Sequence, residues 1–256
     1  MVFVQYLYAL AVCEGLRDES VLGGEDDADG GQGWRVRIKW PNDVYALVGA
    51  KQSEMDKQKI AGILVSTSFN SQGDAEIIIG AFFFSHFSFV LCILKHGCIS
   101  GCGLNVFNDP PMTSLVHLLA ASSPRRQTLS MERTAAVILV RFERMWNQFI
   151  DGKGSFEPFL ESYLSRWMHR YPLPDIHIPH SLSTNIHSDQ QMMLTTVTPP
   201  VPVRIRGITL DHGLLRTVLE RPKDTSFDPW SEEEFVDLQP DGNSFDLMKG
   251  MIKTKH

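Results

Sequence analysis

Apolar and polar residues alternate through WRVRIKW, with Val36, Ile38 and Trp40 on one face and Arg35, Arg37 and Lys39 on the other. That period of two predicts a half-buried strand. Pro41 cannot donate to a ladder, so the chain is expected to leave the sheet there and carry Asn42 and Asp43 onto a loop. An ordinary Pro-Asn-Asp turn is the plainer alternative. ALVGAKQSEMDKQ then reads as a polar connection. KIAGILVSTSF (59–69) reads as a strand, NSQGD as a turn, and AEIIIG (75–80) as its hairpin partner. GCGLNVFND (101–109) reads as a glycine-flanked turn followed by a short strand.

The helical period marks three other segments. MVFVQYLYALAVC places Phe3, Leu7, Leu10 and Ala11 on one buried face. Ser130 is positioned to cap a helix whose stripe is Ala135, Ile138, Leu139, Phe142, Trp146 and Phe149. EPFLESYLSRWMH (157–169) aligns Leu160, Tyr163, Leu164 and Trp167. Towards the C-terminus, VPVRIRGITLDHGLLRTV predicts a hairpin around Asp211-His212-Gly213, and EEFVDLQPDGNSFDLM another around Pro240-Asp241-Gly242. Together these hairpins predict a small β-barrel-like domain.

Composition narrows the class. A hydrophobic content of 43 % and a charged content of 21 % over 256 residues are globular values. The net charge of -6 argues against a general nucleic-acid or anionic-membrane binder. A local cationic site remains open, with Arg35, Arg37, Lys39, Lys57 and Lys59 as its candidates. Cys13, Cys92, Cys98 and Cys102 have no paired metal spacing and suggest no disulfide framework, which favours a reducing compartment. The apolar run 81–94 is too short for an ordinary membrane span, and the first helix lacks the basic flank of a secretory signal. No nucleic-acid or membrane partner is expected.

Two short motifs can carry chemistry. Lys59 opens a hydrophobic strand, where it could neutralise a phosphate or simply mark the strand's solvated start. Gly62, three residues on, would let a ligand approach the backbone. Gly101, Gly103 and Asn105 could offer backbone N–H groups and an amide to a nucleotide, although the turn lacks a P-loop or dinucleotide-binding pattern.

KWPND, KIAGILV and GCGLN, in that order, followed by paired helices, RIRGITLDHGLL and EFVDLQPDGNSFDLMKGMI, resemble the biotin protein ligases, most closely their eukaryotic branch. The resemblance covers most of the chain. It implies an α+β catalytic domain of the class II synthetase-like ligase type, with a mixed, largely antiparallel sheet packed by helices, plus the small C-terminal β-domain. It also implies activation of biotin by MgATP to biotinyl-5'-adenylate and transfer to a lysine of a carrier domain, so that biotin, ATP and Mg2+ enter as substrates. On this resemblance Lys59 and Asp43 are the catalytic pair. Lys59 contacts biotin and the adenylate phosphate, with Gly62, Asn42, Gly101, Gly103 and Asn105 in the biotin and adenylate site and no resident metal. Trp40 is a packing residue that fixes the turn. Biotin-dependent carboxylases in the cytoplasm are the implied partners.

Three departures accompany the resemblance. No GRGR-like stretch, which in the family orders over biotin and the adenylate, occurs in these residues, so the chain reads as starting late. Residues 81–100 separate AEIIIG from GCGLNV, duplicating one glycine as Gly80 and Gly101, and residues 170–187 separate WMH from SDQQ. The two stretches hold only Lys95, Arg170 and Asp175 as charges, yet five of the nine histidines and five of the fifteen phenylalanines. They read as translated introns, a compositional break rather than an extension of the fold. A metal site through His169, His177, His180 and His187 is the rival for the second, although spacings of 8, 3 and 7 fit no standard ligand pattern. The domains expected are therefore 1–169, partial catalytic domain (81–100 inserted), the insert 170–187, and 188–256, the small β-domain. A non-catalytic remnant that at most binds a carrier protein is the alternative function, and a lipoate-type ligase a further one.

Overall fold

The computed structural model describes residues 2–24, 31–49, 56–69, 75–80, 89–92, 99–120, 128–168, 190–220, 234–239, 243–246 and 250–254. They fall in two compact units, 1–168 and 169–256. Residues 169–189, and with them the insert 170–187 and its histidine alternative, lie outside the described residues, as does most of 81–100.

The first unit is a six-stranded sheet with helices packed on it. Its strands are β1 (Val36–Lys39), β2 (Asp43–Val48), β3 (Asp56–Phe69), β4 (Ala75–Gly80), β5 (Phe89–Cys92) and β6 (Ile99–Leu104), in the order β1-β2-β3-β4-β6-β5. Every pairing is antiparallel except β4 with β6. The mixed, largely antiparallel α+β architecture expected from the sequence is present. Helix α1 (Val2–Leu16) packs against β1, β2 and β3, and its other sides meet α3 (Met131–Asp151) and α4 (Glu157–Ser165). It is buried almost all round, Tyr6 and Tyr8 included, rather than along the single predicted stripe, because sheet and helices enclose it. A Cβ on Gly15 would stand 3.0 Å from the Ile138 Cα, so glycine permits the close crossing of α1 and α3. Helix α3 starts where expected, with the Arg133 N–H donating to Ser130 Oγ at 3.3 Å.

Two expectations fail in this unit. Asp43, expected on a loop, and ALV, expected to start a polar connection, both belong to strand β2, which returns on β1 as a hairpin through Trp40, Pro41 and Asn42. Its signal was weak because Tyr45 and Leu47, on the outer face, are as apolar as Val44 and Ala46 on the inner. GCGLNVFND is strand first and loop after: Gly101 and Gly103 lie inside β6, where β3 pairs with them, and Asn105 begins the loop. Between that loop and α3 lies a short helix not anticipated, α2 (Leu115–Ala120). Strand β5, within the first apparent insert, pairs antiparallel with β6.

The second unit is another six-stranded sheet, β10-β9-β8-β7-β12-β11, built from β7 (Gln191–Leu194), β8 (Val201–Ile208), β9 (Leu215–Leu219), β10 (Phe235–Leu238), β11 (Asn243–Asp246) and β12 (Met251–Thr254). The β8–β9 hairpin forms as predicted, with Gly213 at φ +67 in its turn. The second predicted hairpin does not: β10 pairs with β9 and β11 with β12. Parallel pairing of β12 with β7 seats β12 between β7 and the edge strand β11 and leaves β10 and β11 at opposite ends. Among the described residues the sheet is therefore open, not a closed barrel.

Candidate active site

Strands β1 to β3 bury Val36, Ile38, Val44, Ala46, Ile60, Ala61 and Ile63 beneath the sheet. Their other face carries Arg37, Lys39, Asp43, Tyr45, Lys59 and Gly62, all half-buried or exposed. In a regular strand Lys59 and Gly62, three residues apart, would point to opposite faces. Here the register against β2 passes from Ala61↔Val44 directly to Lys59↔Tyr45, which leaves Ile60 as a bulge. Ile60 and Ala61 consequently both turn inward, and Lys59 and Gly62 share the outer face.

Glycine at 62 then makes room for the lysine. A Cβ there would sit 3.3 Å from Lys59 Nζ and 3.7 Å from Asp43 Oδ1. Lys59 Nζ donates to Asp43 Oδ1 at 2.5 Å, while Lys39 Nζ stands 4.0 Å from Asp43 Oδ2. Lys39 also lies 5.6 Å from the centroid of the Tyr45 ring. Burial, and secondarily the Asp43 carboxylate, hold the Tyr45 hydroxyl above its usual pKa.

Across the sheet, Lys39, Asp43, Gly62 and Gly103 occupy one register row through β1, β2, β3 and β6. The two adjacent glycines, Gly62 half-buried and Gly103 buried, put no side chain on the backbone beside the charged pair, where a planar or anionic ligand could approach it. Gly101 stands opposite Leu64, one pleat further along β6. Asn105 lies two residues beyond this row, just after β6: its backbone N–H donates to the Ile60 carbonyl at 2.8 Å, and its side-chain amide donates to the Thr113 carbonyl at 3.1 Å. Thr113 in turn hydrogen-bonds Gln58 of β3. Asn105 is thus fastened to the bulge and to the following loop, not to a turn that presents free N–H groups.

Trp40 is 1 % exposed, and its indole N–H donates to the Tyr6 hydroxyl at 2.6 Å, the packing role expected for it. Asn42 is turned onto β3: its side-chain amide donates to the Ile63 carbonyl, and its own carbonyl accepts from the Ile63 N–H, both at 2.9 Å. Of the other cationic candidates, Arg35 is drawn to the far end of the hairpin by the carbonyls of Leu47 and Gly49. Tyr45 was missed. Without β2 in hand nothing marked it, whereas the alternation Asp43, Tyr45, Leu47 would have placed it beside Lys59. Among the described residues no three His, Cys, Asp or Glu side chains gather to hold a metal ion.

Comparison with known proteins finds ligases similar to this chain. Residues 1–82 match the biotin/lipoate A/B protein ligase family. The chain is similar to the biotin–protein ligase of Schizosaccharomyces pombe, 30 % identical over 98 % of this chain and 32 % of that protein. It is also similar to the chloroplastic biotin–protein ligase 1 of Arabidopsis thaliana, 25 % identical over 98 % of this chain and 51 % of that protein. The human biotin–protein ligase is 26 % identical over 99 % of this chain and 26 % of that protein. The chain therefore spans about a quarter to a half of the length of these relatives. The resemblance drawn from KWPND, KIAGIL and GCGLN is borne out.

Proposed function

We propose, for a chain that carries a biotin/lipoate A/B protein ligase domain over residues 1–82 and is similar along its length to biotin–protein ligases, that it is an ATP-dependent biotin protein ligase. A biotin carboxylate oxygen attacks the α-phosphorus of ATP, the bond from that phosphorus to pyrophosphate breaks, and biotinyl-adenylate forms. The amine of a carrier lysine then attacks the acyl carbon, the bond to AMP breaks, and an amide remains with loss of one proton. Mg2+ enters with ATP as part of the substrate.

The observation that supports this chemistry best is the row Asp43–Gly62–Gly103 with Lys59 folded over it. The first step brings anionic groups together, so it needs a fixed cation more than an acid or a base. Lys59 supplies it, seated over Gly62 and able to exchange the Asp43 carboxylate for a phosphate or carboxylate of the ligand. Asp43, released by that exchange, is placed to orient the ligand or the incoming amine. Gly62, Gly103 and Gly101 form the floor on which biotin and the adenylate lie, and Asn42 and Asn105 border it. The division into a ligase domain over 1–169 and a small β-domain over 188–256, with 81–100 and 170–187 as inserts, belongs to the same proposal. So do biotin-dependent carboxylases as acceptors and the cytoplasm as the site of action. No helix among the described residues is long and apolar enough to cross a membrane.

Biotin-dependent exchange of pyrophosphate into ATP tests the proposal. Exchange with biotin is the expected result. Exchange with lipoate alone would reassign the chain to the lipoate ligases, and a folded sample with neither would leave the non-catalytic remnant.

A further inference from the structure

We infer that Asn42 is a positioning residue, which sets the Asp43 carboxylate against Lys59 by locking the turn onto the core residue Ile63, rather than a group that contacts the nucleotide. The inference rests on the ligase function proposed above. Asn42 and Ile63 exchange two hydrogen bonds of 2.9 Å, one from the Asn42 side-chain amide to the Ile63 carbonyl and one from the Ile63 N–H to the Asn42 carbonyl. Ile63 is 1 % exposed, so the turn is referenced to a fixed point of the core rather than to another loop.

Asp43 follows Asn42 directly, and its β3 partner is Gly62, the neighbour of Ile63. Any slip of Asn42 therefore moves the carboxylate along the row it shares with Gly62. The side chain at 42 must be short, to reach Ile63 without displacing Asp43, and must donate from its tip. Aspartate there would set an oxygen against the Ile63 carbonyl, and glutamine is one methylene too long. With its amide donating to Ile63, the Asn42 side chain holds the turn to the sheet, which is the work of a support and not of a ligand contact.

The test uses the whole chain with Asn42→Ala, Asp43→Ala and the double variant. The first readout is the NMR signal of the Lys59 side-chain ammonium, assigned by its disappearance in Lys59→Arg. Loss of Asn42 is expected to move that signal towards its position in Asp43→Ala, and the double variant to move it no further. A Lys59 signal unchanged in Asn42→Ala overturns the inference. The Trp40 indole N–H signal serves as a control for the turn. If it shifts in Asn42→Ala, then Asn42→Leu, which keeps the branched shape and the neutrality and loses the donor, is read in its place.

The second readout is biotin-dependent pyrophosphate exchange. Asn42→Ala is expected to lower kcat by up to about a hundred-fold, the scale of a misplacement near 1 Å, with the KM for ATP unchanged and no added loss in the Asp43→Ala background. Losses that multiply, or a raised KM for ATP, would make Asn42 a ligand contact and overturn the inference. Absence of exchange in the parent chain would defeat the ligase assignment alone, since the Lys59 signal still decides the role of Asn42.

Discussion

Gly80 and Gly101 stand at the same register position: each is paired with Leu64 of β3. From Phe69 back to Leu64, β3 is paired by β4, and from Leu64 back to Ala61 by the end of β6, with no residue of β3 skipped. The chain thus leaves a strand edge at one glycine and rejoins it in phase at the other. A strand that resumes in phase keeps every side chain on its own face, which an arbitrary insertion would not guarantee.

Joining Gly80 directly to Cys102 should therefore give one unbroken strand, AEIIIGCGLN, in the register now divided between β4 and β6. The shortened chain is expected to fold with a thermal midpoint at or above that of the parent, because loop-closure entropy is removed and the β3 pairing is kept. Circular dichroism melts of the two chains decide this. An unfolded or markedly less stable product would show that β5 contributes to the sheet something β4 and β6 cannot replace.

At Gly62, substitution should separate stability from activity. An alanine Cβ would stand 3.3 Å from Lys59 Nζ and 3.4 Å from its Cε, the mobile end of a half-exposed side chain. Gly62→Ala should then shift unfolding free energy by no more than about 0.5 kcal/mol, as for an ordinary surface change. The same variant should lower biotin-dependent exchange at least about ten-fold by displacing the ammonium. Urea unfolding and the exchange assay, run on one preparation, test both parts.

Lys59→Ala should be a catalytic and not a structural lesion. The Lys59 side chain is 51 % exposed, so its pair with Asp43 contributes about 0–1 kcal/mol to folding. Loss of a preorganised electrostatic group at the reacting centre costs roughly 3 to 4 kcal/mol of transition-state stabilisation, about two to three orders of magnitude in rate. Exchange rates and denaturation of the variant should differ accordingly. Equal losses in both would place Lys59 in the fold instead.

Alkaline pH should unfold the first unit early. Burial pushes the Cys13 and Cys102 thiols from the usual 9.0 up to about 12. Between those values the unfolded chain has released protons that the folded chain retains, so stability is complete below pH 9 and falls as pH rises towards 12. The buried Tyr6 and Tyr163 hydroxyls, also raised by desolvation, steepen the fall from pH 10 upwards. Unfolding free energy measured from pH 7 to 11 should decline above 9, and more shallowly in a Cys13→Ala, Cys102→Ala variant. In the native chain at pH 8 both thiols should resist a thiol reagent that modifies them in denaturant.

Tyr6→Phe should destabilise the unit by about 1–3 kcal/mol, since it removes the acceptor of the Trp40 indole bond within the core. Thermal or urea unfolding checks it.

The apolar periods of α3 and α4, the Ser130 cap, the alternation of β1 and the β8–β9 hairpin were all legible in the sequence, because each is written in residues a few positions apart. So was the ligase resemblance, carried by short motifs whose order survives any loop between them. Strand β2 was not legible, since its two faces are similarly apolar and only pairing with β1 and β3 tells them apart. Nor were the partners of β10 and β11, because a turn-forming Pro-Asp-Gly marks where a chain can reverse and not which strand it then meets. The sequence by itself put Lys59, Gly62 and Asp43 forward as candidates for one site. Only the tertiary structure decided how they meet, through the bulge at Ile60 that turns a lysine and a glycine three residues apart onto one face. A bulge is a mismatch in count between two paired strands, so no single strand's pattern can declare it.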